Sequence, residues 1–193
     1  MKGLVWNCRG IRKTGVSSFL NDLILEHNFH FIFLQETMIT YCDDRLLEKI
    51  DHRKTYLWKW IPSHGKSGGI LTGVNTDFLD VGSFLEGKFM MQLDLWDKTQ
   101  KKKWNLINVY GAAQEENKDE FLAELVRFCD ANNEPVLIGG DFNIIRFASE
   151  KNKKMVFMLT LISFMQLLLL MSCWIHTWWV AGLLGLITRS IQL

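Results

Sequence analysis
Short apolar runs that stop abruptly at small polar clusters recur along the first 143 residues. Residues 2–7 form the first of these, and so brief a run reads as a buried strand feeding a polar loop. From Ser17 to Glu26, residues Phe19, Leu20, Leu23 and Ile24 fall at helical spacing. Phe31-Ile32-Phe33-Leu34 then predicts a second buried strand, ending at Gln35-Glu36-Thr37. Trp58–Trp60, Gly69–Leu71, Phe89–Leu95 and Trp104–Tyr110 follow as candidate strands between Gly, Ser, Asp and Lys clusters, a spacing that predicts consecutive antiparallel pairing. Residues 117–130 return to helix, with Phe121, Leu122, Leu125 and Phe128 on one face and acidic residues elsewhere. Pro135 opens Val136-Leu137-Ile138, which stops at Gly139-Gly140-Asp141-Phe142-Asn143. No internal repeat occurs.

The strand ends carry the candidate chemistry. Packed sheets gather such ends at one rim, where loops work on a rigid base. Glu36 is a hard oxygen ligand suited to Mg²⁺, which takes one or two protein carboxylates and keeps its other positions for water and phosphate. Asp141 can orient or deprotonate a water, while Asn7 and Asn143 can donate hydrogen bonds to phosphoryl oxygens as charge develops. Such a set suits phosphodiester hydrolysis. Taken singly, a strand-end Asp or Asn is more often a turn former, because its side chain bonds the local backbone. Gly65-Lys66-Ser67 fails as a phosphate loop, since Trp60 stands where the pattern needs glycine. Gly68-Gly69 predicts a turn, and Lys101-Lys102-Lys103 a solvated hairpin.

Composition narrows the class further. With 48% hydrophobic and 22% charged residues over 193 positions, the chain can bury a core and is neither disordered nor collagen-like. The net charge of +1 makes nucleic-acid contact a matter of a local patch. All 21 Asp and Glu lie in residues 1–150 with 18 Lys and Arg, while 151–193 hold only Lys151, Lys153, Lys154 and Arg189. This shift divides the chain into a domain over 1–150 and a tail over 151–193. Met1 runs almost directly into Gly3-Leu4-Val5-Trp6 without the features of a secretory leader, so a cytoplasmic or nuclear setting is expected. Cys8, Cys42, Cys129 and Cys173 form no C-x-x-C and are expected as reduced thiols without disulfide partners. His27 and His30 have ligand-like spacing, but two ligands close no metal site and the flanking residues read as a helix end.

Trp6-Asn7-Cys8-Arg9-Gly10, Leu34-Gln35-Glu36-Thr37, Ser67-Gly68-Gly69-Ile70, Val109-Tyr110-Gly111 and Ile138-Gly139-Gly140-Asp141-Phe142-Asn143, in that order and spacing, resemble the endonuclease/exonuclease/phosphatase family. The resemblance is greatest to the apurinic-endonuclease-like domain of plant LINE-type retrotransposons, and it covers about 150 of the 193 residues. It implies an α/β (α+β) fold, a four-layer sandwich of two mixed sheets face to face with helices outside. It also implies nicking of DNA that depends on Mg²⁺, with Mn²⁺ as a substitute. Carried over residue by residue, it makes Glu36 the metal ligand and Asn7 its neighbour at the metal and phosphate. Tyr110 lines the phosphate, Asp141 activates the attacking water and Asn143 steadies the transition state. Ala112 stands where relatives commonly have proline.

The family finishes its active site with a late tryptophan-bearing strand, an L-D-R segment and an S-D-H, none of which occurs here. Met155 to Ile187 instead contain no Asp, Glu, Lys or Arg, long enough for an apolar transmembrane helix whose N-terminal end the Lys151–Lys154 cluster would hold on the cytoplasmic side. A second reading is a frameshift close after residue 154. Back-translating Cys173 to Leu193 and reading from the third base of each codon makes L-D-T-Y-M-V-G-G-R-F-T-W-S-N-N-Q-E-Y-P-T available, which resembles the family's continuation. Lost closing strands are then expected to leave sheet edges bare and the tail collapsed on them as helix. Three functions follow as expectations: a phosphodiesterase impaired by the missing Asp-His end, a non-catalytic remnant anchored in a membrane through 155–187, or a module that binds nucleic acid without cutting.

Overall fold
Leu4, Ile32 and Leu34 belong to one apolar cluster while Val5, Phe31 and Phe33 belong to another, so the first two strands are buried on both faces. Strands of this kind sit in the middle of a molecule, covered above and below. The computed structural model describes residues 1–64 and 67–143, with only the backbone at Ser67, and beyond them the backbone of residues 185–188. Strand β1 (Lys2–Asn7) runs into α1 (Val16–His27) and then β2 (Phe31–Gln35). β1 and β2 pair in parallel from Gly3↔Phe31 to Asn7↔Gln35, which the intervening helix makes feasible.

Helix α2 (Asp44–Ile50) follows, its first turn capped by the Asp43 carboxylate, which accepts from Leu46 N at 2.8 Å. Strands β3 (Tyr56–His64) and β4 (Ser67–Asn75) form a hairpin, and β4 also pairs antiparallel with β2. Next come β5 (Leu79–Glu86), β6 (Met90–Asp97) and β7 (Lys102–Tyr110), each antiparallel to the last, then α3 (Lys118–Asp130) and β8 (Val136–Asp141), which returns parallel to β7. β9 (Gly185–Thr188) pairs antiparallel with β1. The two sheets have the orders β3-β4-β2-β1-β9 and β5-β6-β7-β8.

Three apolar layers glue these elements into four. Leu20 and Ile24 of α1 and Leu46 and Ile50 of α2 pack on the outer face of the first sheet through Leu4, Ile32, Leu34 and Leu71. Between the sheets, Val5, Phe31, Phe33 and Val74 meet Leu93, Leu95, Trp104 and Leu106. On the far side Phe121, Leu125 and Phe128 of α3 cover Met90, Ile107 and Val109. Burying a side chain of this size contributes about 1.5–3 kcal/mol. The expected sandwich of two mixed sheets flanked by helices is therefore present.

Some local expectations need correcting, and others gain detail. β5 and α2 have no counterpart in the apolar pattern read from the sequence. Gly68 and Gly69 lie inside β4 rather than in a turn, with φ of +89° and +84°. The acidic residues of α3 are not all outward: Glu124 is buried and accepts from Lys88 N at 3.0 Å and Phe89 N at 2.9 Å, tying the helix to the β5–β6 turn. The outer edge of β1 is paired by β9 rather than bare. His27 and His30 do not converge on a common ligand: the His30 ring stacks on Phe78 and its Nδ1 accepts from Lys2 N, while His27 lies against Phe29. Cys8, Cys42 and Cys129 are free thiols, each pushed up from the usual thiol range by burial. Cys173, Gly65, Lys66 and the tail apart from the β9 backbone lie outside the described residues. No helix among the described residues is long and apolar enough to cross a membrane.

Candidate active site
Each sheet contains one parallel pair joined through a helix, β1-α1-β2 in the first and β7-α3-β8 in the second. Polar side chains at the carboxyl ends of such pairs face a crevice, the usual ligand position in sheets of this kind. Here the two pairs end at one rim. Asn7 closes β1, Glu36 follows β2, and Tyr110 of β7 stands in register with Asp141 of β8.

The Asn7 side chain ties the two sheets together. Its Nδ2 donates to Glu36 Oε1 at 2.8 Å and to Asp141 Oδ2 at 2.7 Å, so one amide reaches a carboxylate 134 positions along the chain while holding another. The other oxygen of Asp141, Oδ1, accepts from the backbone N–H of Asn143 at 3.0 Å, a short Asx turn that fixes the carboxylate. Asn143 Nδ2 donates to the Gly111 carbonyl at 2.7 Å, which ties the end of β8 to the loop after β7. Tyr110 completes the group. Its phenol is pushed up to about 12, first by burial, then by the charges of Glu36 and Asp141 and by a hydrogen bond with Glu36, with Asn143 pulling the other way. All five residues proposed from sequence, Asn7, Glu36, Tyr110, Asp141 and Asn143, thus lie in one hydrogen-bonded cluster.

The backbone is shaped to permit this. Glu36 and Asn143 both take left-handed φ, +50° and +51°, as do Arg9 and Met38 in the adjoining loops. Non-glycine residues held there cost free energy, and they concentrate at functional sites. The loop after β2 is pinned by Thr37 N to the Gly69 carbonyl at 3.1 Å and Met38 N to the Gly68 carbonyl at 3.0 Å. A Cβ at Gly69 would stand 2.5 Å from Thr37 Oγ1, and one at Gly140 would stand 2.0 Å from the Val109 carbonyl oxygen. This explains why both motifs need glycine: the chain at each must approach its neighbour closely at positive φ.

The donor set suits a hard divalent cation. Glu36 and Asp141 supply two carboxylates, and Asn7 Oδ1 is buried with no hydrogen-bond partner, an oxygen that a cation could satisfy. No cluster of three or more His, Cys, Asp and Glu occurs among the described residues. Oxygen ligands with at most two carboxylates match Mg²⁺ or Mn²⁺ better than Zn²⁺.

Sequence reasoning did not single out Asn108 and Thr72, which lie directly beneath this rim, nor Phe142, whose ring is buried against Phe121 of α3 between Asp141 and Asn143. An Asn in a strand interior is itself a signal, because β-propensity disfavours it there.

A family model described as the endonuclease/exonuclease/phosphatase family matches residues 4–179, past the boundary at 150 drawn from charge. Solved structures of similar fold include an AP endonuclease from Leishmania major, 16% identical, covering 87% of this chain and 66% of that one at a TM-score of 0.61. A mannosyl-6-phosphatase from Bacteroides thetaiotaomicron is 12% identical over 86% of this chain and 70% of that one, TM-score 0.60. The human nocturnin catalytic domain with bound sulfate anion is 14% identical over 74% of this chain, TM-score 0.54, and this chain spans 64% of it. At these identities the likeness is one of fold, and the chain spans slightly less than two thirds of the Leishmania and human proteins. No curated protein matches the sequence.

Proposed function
Because the chain belongs to the endonuclease/exonuclease/phosphatase family, we propose that its site is that of a divalent-metal phosphodiesterase acting on DNA, of the kind carried by plant LINE-type retrotransposons, with little turnover from these 193 residues alone. The observation that carries this reading is the Asn7 amide bridging Glu36 and Asp141 across two sheets, with Tyr110 and Asn143 against them. Glu36 and Asn7 Oδ1 would hold Mg²⁺ or Mn²⁺, whose charge, when bound, neutralises phosphoryl oxygens. Asp141, its carboxylate oriented by Asn143 N–H, takes the proton of the attacking water. Tyr110 remains a neutral hydrogen-bond donor at physiological pH, and the Asn143 amide, which bonds the Gly111 carbonyl and the Tyr110 phenol, stands beside it as a donor for developing charge. The AP endonuclease of similar fold supports DNA as the substrate class.

The impairment rests on the sequence. No L-D-R or S-D-H segment occurs in residues 1–193, and by the family resemblance these are the segments that would supply a histidine to share the proton work with Asp141. The proposed cause is a frameshift after residue 154, and the coding DNA around that codon decides it. Without an extra or missing base there, the apolar stretch 155–187 is read as a membrane segment instead. The activity test is nicking of supercoiled and abasic plasmid DNA with Mg²⁺ or Mn²⁺. Metal-dependent nicking at least 100-fold below that of an intact relative, and lost in Asp141→Ala, is expected. Turnover equal to the relative's overturns the impairment. A divalent-ion titration unaffected by Glu36→Ala overturns the site itself, and salt-sensitive DNA retention without any nicking favours a binding module.

A further inference from the structure
Along β2 the residues facing the second sheet are Phe31, Phe33 and, by the same alternation, Gln35; along β7 the residues facing the first are Trp104, Leu106 and, by the same alternation, Asn108. The apolar filling between the sheets therefore gives way to amides just below the rim. Gln35 is 1% exposed and Asn108 fully buried. Gln35 Nε2 donates to Asn108 Oδ1 at 2.6 Å, and Asn108 Nδ2 donates to Thr72 Oγ1 of β4 at 2.9 Å and lies 3.4 Å from the Leu71 carbonyl. Two strands of the first sheet are thereby fastened to one strand of the second. In register with Asn108 is Gly139, whose missing side chain lets β8 come close to Phe33 and Val5, where a Cβ would stand 3.2 Å and 3.6 Å from them.

Apolar contact between two sheets is non-directional and tolerates sliding of one layer over the other. Hydrogen bonds weaken steeply with misalignment and do not. The fastening sits where sliding matters most. Gln35 is the register partner of Asn7 and the neighbour of Glu36, and Asn108 lies two residues before Tyr110. The Asn7 amide can reach carboxylates on both sheets at 2.7–2.8 Å only while the layers keep their present offset.

We infer that Gln35 and Asn108 are positioning residues: their inter-sheet amide pair sets the offset that brings Glu36 of one layer to Asp141 and Tyr110 of the other. Its consequence for catalysis rests on the reading of the rim as a metal phosphodiesterase site. The geometric statement is tested without metal. In the double variant Gln35→Leu/Asn108→Leu, which removes both partners and leaves neither amide stranded, NMR hydrogen exchange of the Asn7 side-chain NH₂ is expected to quicken at least tenfold, while backbone amides of β6 keep their protection. Exchange at Asn7 within twofold of the parent protein overturns the inference and leaves the pair with a packing role only. Should the double variant not fold, Gln35→Met and Thr72→Val singly decide the matter on the same readout, with faster Asn7 exchange expected in both and unchanged exchange in both overturning it. Paramagnetic broadening of the Asn7 signals by Mn²⁺ in the parent protein tests the metal reading separately, and its absence would sink that reading without altering the exchange result.

Discussion

Tyr110 shows how much a single group at the rim feels its surroundings. Its phenol, ordinarily near 10, is held at about 12 by burial and by Glu36 and Asp141. The folded chain therefore keeps this proton more tightly than the unfolded chain does. The contribution to stability is complete below pH 10 and is lost as pH rises toward 12, where the unfolded phenol ionises first. Tyr110→Phe is expected to flatten the fall of the denaturation midpoint between pH 10 and 12. Some slope persists from Tyr56, also pushed up by burial. Identical slopes in parent and variant, measured by urea melts across that window, would show that Tyr110 is not so enclosed. Glu36, at positive φ, makes the companion point that a residue proposed for a functional role accepts a backbone its own side chain disfavours, whereas Asn143, also at positive φ, is of a type that tolerates it.

At the level of elements, α3 matters to the rim through one ring. Phe121 is fully buried, edge-on to Phe89 at 5.7 Å and to Phe142 at 6.4 Å, and Phe142 is the residue between Asp141 and Asn143. Phe121→Ala is expected to cost about 3–5 kcal/mol in a denaturant titration, the range for large aromatic truncations in cores. A loss below about 1 kcal/mol would mean the helix is not the brace described. The elements legible from sequence were those with two buried faces, a clear helical stripe or a short apolar stretch between turn residues: β1, β2, the middle of β3, part of β4, β6, β7, β8, α1 and α3. β5 was hidden because it is an edge strand, largely exposed, whose pairing shifts between Val81 and Phe84 and breaks the alternation. α2 is too short for periodicity to show, although Asp43 before Asp44 is a cap signal that was there to be used. Gly68-Gly69 reads as a turn because positive φ usually occurs in one, whereas here it lets a strand pass close to the loop after β2. Each strand end could be picked out singly as polar. Their meeting could not, since it depends on two crossovers and on amides buried between the sheets.

For the molecule as a whole, the pairing of β1 with β9 joins the most distant parts of the chain, from Lys2↔Thr188 to Val5↔Gly185. β1 carries Asn7, so this edge lies on the same strand as the rim. A chain ending at residue 184 is expected to expose the N–H and C=O groups along β1 and to self-associate, seen as a rise in weight-average mass with concentration in sedimentation or light scattering. A strictly monomeric truncated chain would show that the edge is protected in some other way. The amide of Asn7 has a last implication. Since it already engages both carboxylates by hydrogen bonding, the architecture is complete before any ion arrives. On the proposed reading of the rim as a divalent-metal site, chelators should therefore leave the melting temperature nearly untouched, so that the chain can be made, folded and stored without the ion and take it up later.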